Sequence, residues 1–139
     1  MRRAAVERLF EDRERSALDD SFAVHREGKS EPVGVVSLTN ISEANASAEL
    51  SVIVGDEKDR AKGLGTEAIR LLLGYAFEEL GLNRVGLSVF EFNEAAIRAY
   101  EKLGFEREGS LRQALRRDGN FHDAILMSIL AHEWRENEN

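Results

Sequence analysis

The sequence predicts an α/β (α+β) fold, and three observations support this class. First, short runs with alternating apolar residues, typical of strands, recur along the chain. Second, two longer segments carry apolar residues at helical spacing, with a strand-like run between them. Third, the chain closes with two strand-like runs joined by a charged hairpin turn. Together these patterns predict one mixed sheet with helices packed against it.

Length and composition predict a single soluble domain over residues 1–139. The chain is 42% hydrophobic and 32% charged, which excludes a disordered protein and allows a real core. The net charge of −7 argues against nucleic acid or a membrane surface as partner and is compatible with a cationic substrate. No apolar run approaches the ~18 residues that span a membrane, and residues 1–3 precede no signal-peptide segment. We expect a cytoplasmic protein.

The sequence offers no basis for thiol or metal chemistry. Because the chain has no cysteine, disulfides, thiolate metal sites and a cysteine nucleophile are excluded. The three histidines, His25, His122 and His132, are scattered along the chain. We therefore expect no metal site.

The two ends of the chain are polar. Residues 1–20 are predicted to form an N-terminal helical region, because Val6, Leu9, Phe10 and Ala17 have roughly helical spacing within Ala4–Leu18. At the other end, residues 135–139 are charged and polar and are predicted to fray.

Three strands are predicted before the first long helix: Ser21–His25, Pro32–Leu38 and Ala48–Val54. The third alternates clearly. Leu50, Val52 and Val54 lie on one face, and Glu49, Ser51 and Ile53 lie on the other. A fourth strand includes Val85, Leu87 and Val89. The last strand, before Leu130, is apolar on most of both faces, which predicts a position inside the sheet.

The two predicted helices, Glu67–Leu80 and Glu94–Leu103, carry recognisable end signals. The first has a broad apolar stripe, and Gly81 follows it as a stop. The second has Asn93 as its N-cap and Gly104 as its left-handed stop.

Between the third strand and the first helix lies a loop with two glycines. Its residues are Arg60, Ala61, Lys62, Gly63, Leu64, Gly65 and Thr66. Glycines at a helix N-terminus leave backbone N–H groups open to a close-lying anion, and the two basic residues add positive charge. The loop is neither a Walker A motif nor a dinucleotide fingerprint, but a diphosphate suits it. A plain connecting loop is the alternative interpretation.

A second motif makes this loop more specific. The block Asn93-Glu-Ala-Ala-Ile-Arg-Ala-Tyr-Glu-Lys-Leu-Gly-Phe105 follows the Arg60-x-x-Gly-x-Gly65 loop at the expected distance. Together they resemble the GNAT superfamily of acyl-CoA-dependent N-acetyltransferases, especially its ribosomal-protein N-terminal acetyltransferase-like group. The resemblance runs from about Phe22 to Trp134. It implies a mixed, mostly antiparallel central sheet with helices on both faces and a splayed central strand pair.

The resemblance also implies a cofactor path. Acetyl-CoA would place its diphosphate on the loop from Arg60 to Thr66 and its pantetheine arm beside the main chain of Ile53 and Val54. The gap between this strand and the one beginning at Val85 would admit the acyl group. Asn93 matches a residue that contacts the cofactor in many relatives, although an N-cap role explains it equally well.

Two residues match catalytic positions of the family. Tyr100 corresponds to the usual general acid, which protonates the departing thiolate, but it also lies on an apolar helix stripe and suits a core tyrosine. Glu49 falls where some relatives hold a base, acting directly or through a water. An exposed carboxylate at a strand start is its alternative interpretation.

The chain departs from the family pattern at two places. Ala61 replaces a common glycine, which requires ordinary backbone angles there. The usual first strand and helix of the family have no room ahead of the predicted N-terminal helix, so we expect an uncovered sheet edge near Phe22–Val24. On that ground we expect a homodimer.

The resemblance implies an enzyme that moves an acetyl group from acetyl-CoA to a primary amine by direct attack in a ternary complex. The acceptor would be a protein N-terminus or a small-molecule amine, and, as in many members of the family, the hairpin Arg112–Asp123 would border it. Two alternatives remain: a non-catalytic acyl-CoA-binding module, and a structural subunit of a dimer.

Overall fold

A seven-stranded sheet organises the chain in the computed structural model, which describes residues 4–8, 19–26, 28–29, 31–54 and 64–138. The strands are β1 (Ala4–Arg8), β2 (Asp20–Arg26), β3 (Pro32–Ser42), β4 (Ser47–Val54), β5 (Arg84–Phe90), β6 (Glu106–Arg117) and β7 (Asn120–Leu130). Their order across the sheet is β1-β2-β3-β4-β5-β7-β6. β7 therefore lies inside the sheet, as its apolar faces predicted.

The sheet is antiparallel except at one place. β4 and β5 pair in parallel, through Ser47 with Arg84, Ala48 with Val85, and Glu49 with Gly86. A parallel pair needs a long crossover connection, and the segment containing the first long helix supplies it. The predicted class, a mixed and mostly antiparallel sheet with helices, is confirmed.

Three α-helices are described: α1 (Leu64–Gly74), α2 (Glu94–Leu103) and α3 (Ala131–Glu138). α1 continues as a π-helical turn over Tyr75–Glu79, which the sequence pattern did not predict. The predicted stops are confirmed, because Gly81 and Gly104 have φ of 68° and 108°, values that favour glycine. No helix in the described ranges is long and apolar enough to cross a membrane.

One apolar core joins the sheet to all three helices. Its largest fully buried side chains are Phe77, Leu38, Leu72, Leu73, Met127, Ile129, Val24, Val36 and Val85. From α2 it receives Ile97 and Leu103, and from α3 Trp134, whose ring lies 5.6 Å from that of Phe77. Helix packing on the second face of the sheet stays a prediction.

The helix predicted over Ala4–Leu18 is wrong for residues 4–8, which form β1. Val6 lies opposite Val24 and Arg8 opposite Phe22 in an antiparallel ladder. Val6 suits a strand as well as a helix, and long-range pairing with β2 decides between them. Residues 9–18 lie outside the described part. β1 covers the edge near Phe22–Val24, so the prediction of an uncovered edge there is also wrong.

The predicted fraying from Arg135 is wrong as well, because α3 extends to Glu138. Ala131 and Trp134 are buried and hold one face of this helix on the core. Glu133 caps its start by accepting a 2.9 Å hydrogen bond from the Leu130 N–H. Two buried anchors and a cap stabilise a short polar helix that sequence polarity alone does not favour.

Candidate active site

The main feature of the site is a split between β4 and β5. Their ladder ends at Glu49 and Gly86, although β4 continues to Val54 and β5 to Phe90. Each strand remains paired on its other side, β4 with β3 as far as Val54 and β5 with β7 as far as Phe90. In the described part of the chain, the facing edges of β4 and β5 therefore have no strand partner beyond Glu49. This is the splayed pair that the family resemblance implies.

The side chains beside the split differ between the two sheet faces. Leu50 on β4 and Leu87 on β5 point into the core. On the other face, Glu49, Ser51 and Ile53 are exposed, and Ile53 is 66% exposed. Beside the split, one face of the sheet is therefore apolar and covered by helices, and in the described structure the other face is exposed to solvent.

Glu49 stands at the last rung before the strands separate. Its Oε2 accepts a 3.2 Å hydrogen bond from Asn40 Nδ2. Its side chain is exposed, as its alternative interpretation has it, and it lies at the closed end of the split. Its role as a base stays a prediction. Among the described residues, no cation pairs with this carboxylate.

Tyr100 lies on the other side of the sheet. Its ring packs on the core, 5.8 Å from the ring of Phe105. Desolvation by burial raises the pKa of the Tyr100 hydroxyl above its ordinary value, so the group holds its proton through the neutral range. Within the described part of the chain, the hydroxyl has no hydrogen-bond partner. The structure does not bring Tyr100 and Glu49 together; it places them on opposite faces.

Asn93 performs the capping role proposed for it. Its side-chain oxygen accepts a 3.2 Å hydrogen bond from the Ala96 N–H, and its own carbonyl accepts one from the Ile97 N–H. The side-chain amide nitrogen is not used by this cap, so contact with a cofactor remains a prediction.

The glycine loop is described only at its end. Gly65 and Thr66 lie in the first turn of α1, which begins at Leu64. The residues Arg60, Ala61, Lys62 and Gly63 lie outside the described part of the chain. What the structure shows is that α1 follows β4 in the chain, and the N-terminus of a helix is a place where backbone N–H groups favour an anion.

An aromatic cluster at the open end of the split was not predicted from the sequence. The Phe92 ring lies 5.0 Å from Phe90 and 4.8 Å from His122. Phe90 ends β5, four residues beyond the last rung at Gly86, or about 13 Å along the strand. Because these aromatic residues come from two distant segments, only the register of β5 with β7 reveals the cluster.

Two acidic residues, Glu91 and Asp123, are next in the chain to members of this cluster. Asp123 N–H donates to Glu91 Oε2 at 2.9 Å, and Glu91 N–H donates to the Asp123 carbonyl at 3.1 Å. Asp123 also accepts from the Gln113 N–H at 2.8 Å and holds a bulge in β6, where Gln113 has φ of 53°. Neither carboxylate forms a salt bridge within the described residues.

Comparison with known proteins decides the family. A family model described as an acetyltransferase (GNAT) domain matches residues 1–106. The chain belongs to the GNAT acetyltransferase family. This confirms the resemblance read from the loop and the Asn93–Phe105 block.

Individual relatives of this GNAT chain are N-acetyltransferases by name. This chain is 40% identical over 101 residues to the Bacillus subtilis protein named "Putative ribosomal N-acetyltransferase YdaF". The match covers 73% of this chain and 55% of that protein. It is 37% identical over 113 residues to a spermidine N(1)-acetyltransferase of Escherichia coli K12, covering 81% and 59%. The chain thus spans little more than half of these relatives.

A solved structure agrees on the fold. The dodecameric spermidine N-acetyltransferase of Vibrio cholerae superposes with a TM-score of 0.82 at 28% identity, covering 88% of this chain and 71% of that one. Spermidine is the substrate named for that enzyme.

Proposed function

We propose that this protein is an N-acetyltransferase that moves an acetyl group from acetyl-CoA to a primary amine. The observation that carries the proposal is the split between β4 and β5, with Glu49 at its closed end. Two strands that remain paired on their outer sides but open towards each other form a slot with backbone hydrogen-bonding groups along it.

The slot suits the chemistry of acetyl-CoA. The amides of a pantetheine arm can pair with the free edge of β4 near Ile53 and Val54, much as an added strand would. The start of α1, with Gly65 and Thr66, offers N–H groups for the diphosphate. By family resemblance, the positions from Arg60 to Leu64 and Asn93 would complete the contact. Acetyl-CoA supplies the activated acyl group, and no metal is needed.

The two candidate proton-transfer groups lie on opposite sides of the slot. Glu49 is exposed on the acceptor side and can take a proton from the incoming ammonium, directly or through a water. The amine nitrogen then bonds to the acetyl carbon, loses its second proton to solvent and becomes the amide nitrogen as the carbon–sulfur bond breaks. Tyr100, on the core side, donates its proton to the departing sulfur and regains one from solvent before the next turnover; its raised pKa keeps that proton available. We assign Glu49 as base and Tyr100 as acid.

The surroundings of the slot favour a cationic aliphatic amine as acceptor. Glu91 and Asp123 carry negative charge at the open end, next in the chain to Phe90, Phe92 and His122, and negative charge attracts ammonium groups. The Arg117 guanidinium already lies over the Phe92 ring, 5.4 Å from its centroid, so the two carboxylates carry this argument. The net charge of −7 acts in the same direction. Spermidine, named for the relatives in Escherichia coli and Vibrio cholerae, is therefore the first acceptor to test, and a peptide N-terminus is the second.

Cytoplasmic location and assembly into a homodimer or larger oligomer are further parts of this proposal. The dodecameric relative supports assembly. The edge near Phe22–Val24 does not, because β1 covers it.

Two measurements test the function. Acetyl-CoA affinity is measured by calorimetry on the native chain and on Gly65→Val, with ATP as a control ligand. Amine-dependent release of CoA thiol is then followed with a thiol reagent, to which a chain without cysteine adds no background. We expect acetyl-CoA-selective binding that Gly65→Val abolishes, and thiol release with spermidine. Binding without turnover of any amine would favour an acyl-CoA-binding module, and absence of binding would favour a structural subunit.

A further inference from the structure

A bulge in β3 lies directly beside Glu49. Thr39 pairs with Glu49 and Ser42 pairs with Ser47, so two residues of β3, Asn40 and Ile41, lie opposite one residue of β4. Asn40 has φ of 50°, in the left-handed region that asparagine tolerates better than most residues. No pattern in the sequence distinguishes this residue.

The bulge changes the face on which Asn40 acts. Thr39 is directly opposite Glu49, so the two share a face, and in a regular strand the next residue would point to the other face. The left-handed residue instead places its carboxamide on the Glu49 side, where Nδ2 donates to Glu49 Oε2 at 3.2 Å.

The backbone of Asn40 is fixed independently of that contact. Its N–H donates to Asp19 Oδ1 at 3.1 Å, and Asp19 directly precedes β2, which pairs with β3. The carboxamide therefore extends from a backbone position that the neighbouring strand holds in place.

We infer that Asn40 is a positioning residue for the base Glu49. Its amide holds one carboxylate oxygen, Oε2, and directs the other, Oε1, away for the amine. Within the described ranges, Oε1 has no hydrogen-bond partner, so its lone pairs are open to accept a proton. The inference rests on the proposed acetyl transfer and adds a residue that orients its base.

The test removes the amide but keeps the backbone. Asn40→Gly retains a residue that adopts positive φ without strain. Ala46→Gly is the matched control, because Ala46 also has positive φ, 53°, in the turn between β3 and β4, and its backbone hydrogen bonds in the described structure go to Glu43, Asn83 and Arg84 and not to Glu49. Acetyl-CoA affinity, kcat with a saturating amine, and thermal stability are measured for both.

We expect Asn40→Gly to lower kcat about tenfold, the effect of losing one hydrogen bond to a charged group, with acetyl-CoA affinity unchanged. Ala46→Gly should leave kcat within a factor of about two. Asn40→Asp, which presents a carboxylate to Glu49 in place of a donor, should lower kcat at least as much as Asn40→Gly.

The double variant separates positioning from a general structural effect. If Asn40 acts through Glu49, adding Asn40→Gly to Glu49→Gln should change kcat less than about twofold. An equal loss in both backgrounds, or a native kcat in Asn40→Gly, overturns the inference while acetyl transfer stands. If the native chain releases no thiol with any amine, the proposed function falls, and the inference falls with it.

Discussion

Replacing Tyr100 by phenylalanine tests the assignment of the general acid with a minimal change. The variant removes one oxygen and keeps the ring that packs on Phe105. Because the hydroxyl has no hydrogen-bond partner in the described structure, its removal leaves no buried polar group unsatisfied. We therefore expect the free energy of unfolding to change by less than about 0.5 kcal/mol.

The kinetic effect should be much larger. A positioned general acid contributes a factor of about 10² to 10⁴, so kcat should fall at least about a hundredfold, or about 2.7 kcal/mol of transition-state stabilisation. Acetyl-CoA affinity should be unchanged, since the ring and its packing remain. In the native enzyme, loss of activity from Tyr100 ionisation should begin only above the ordinary tyrosine pKa of about 10, because burial raises the value.

Tyr75→Phe is the matched control, since the chain has only these two tyrosines. The Tyr75 hydroxyl donates a 2.6 Å hydrogen bond to Asp20, which is 3% exposed. Its removal should destabilise the fold by about 1–3 kcal/mol and leave kcat nearly native at a temperature where the variant is folded. Thiol release gives kcat, and urea denaturation gives the free energy of unfolding. A native kcat in Tyr100→Phe would refute the role of Tyr100 as acid.

Three further outcomes follow from single contacts. Asn93→Ala should lower the free energy of unfolding, measured by urea denaturation, by about 1 kcal/mol, because the N-cap of α2 is lost. Asn93→Asp should keep native stability, because aspartate is an equally good N-cap. Weaker acetyl-CoA binding by Asn93→Asp at native stability would identify a cofactor contact. Leu72→Ala in the core should cost about 2–5 kcal/mol, and a smaller loss would mean that this core region collapses around the cavity. Arg84 Nη1 and Nη2 bind Glu108 at 2.6 and 2.5 Å and lower the pKa of Glu108 to about 2. This pair stabilises the folded protein fully at pH values above 4.5, the ordinary pKa of a glutamate, and the stabilisation is lost as the pH falls towards 2. Since both side chains are more than a third exposed, Glu108→Gln should cost about 1 kcal/mol or less at pH 7. The difference in unfolding free energy between the native protein and Glu108→Gln should disappear by about pH 2. A difference that does not change with pH would contradict the ion-pair explanation.

Local signals in the sequence predicted the elements well wherever one residue decides the conformation. Gly81, Asn93 and Gly104 set helix ends by their own backbone or side-chain chemistry, and all three behave as predicted. The alternation in β4 predicted which of its side chains face the core. These features depend only on residues a few positions away in the chain, so they can be predicted from the local sequence.

Features set by long-range pairing were not predictable in this way. The sequence pattern predicts a helix at β1 because the five residues of this strand have no decisive period, and the β2 residues that pair with it lie further along the chain. The aromatic cluster of Phe90, Phe92 and His122 depends on the register of β5 with β7. The contact between Asn40 and Glu49 depends on a bulge, which no simple period in β3 indicates.

The split between β4 and β5 destabilises the sheet little, because each of these two strands has an antiparallel partner along its full length. β4 remains paired with β3 as far as Val54, and β5 with β7 as far as Phe90. Among the described residues, the hydrogen bonds that β4 and β5 would have made with each other beyond Glu49 and Gly86 are the ones missing, and the backbone groups along these edges are the ones that we propose a pantetheine arm uses.

Hydrogen exchange can test this point directly. In a strand, alternate N–H groups point to opposite neighbours, so within Leu50–Val54 those facing β3 are already protected. Acetyl-CoA should slow exchange only at the alternate amides that face the split, whereas ADP, which carries a diphosphate but no pantetheine, should leave them unchanged. Equal protection of every amide in this segment would indicate general tightening of the fold. No protection with bound acetyl-CoA would place the pantetheine arm elsewhere, and the slot would then have no part in cofactor recognition.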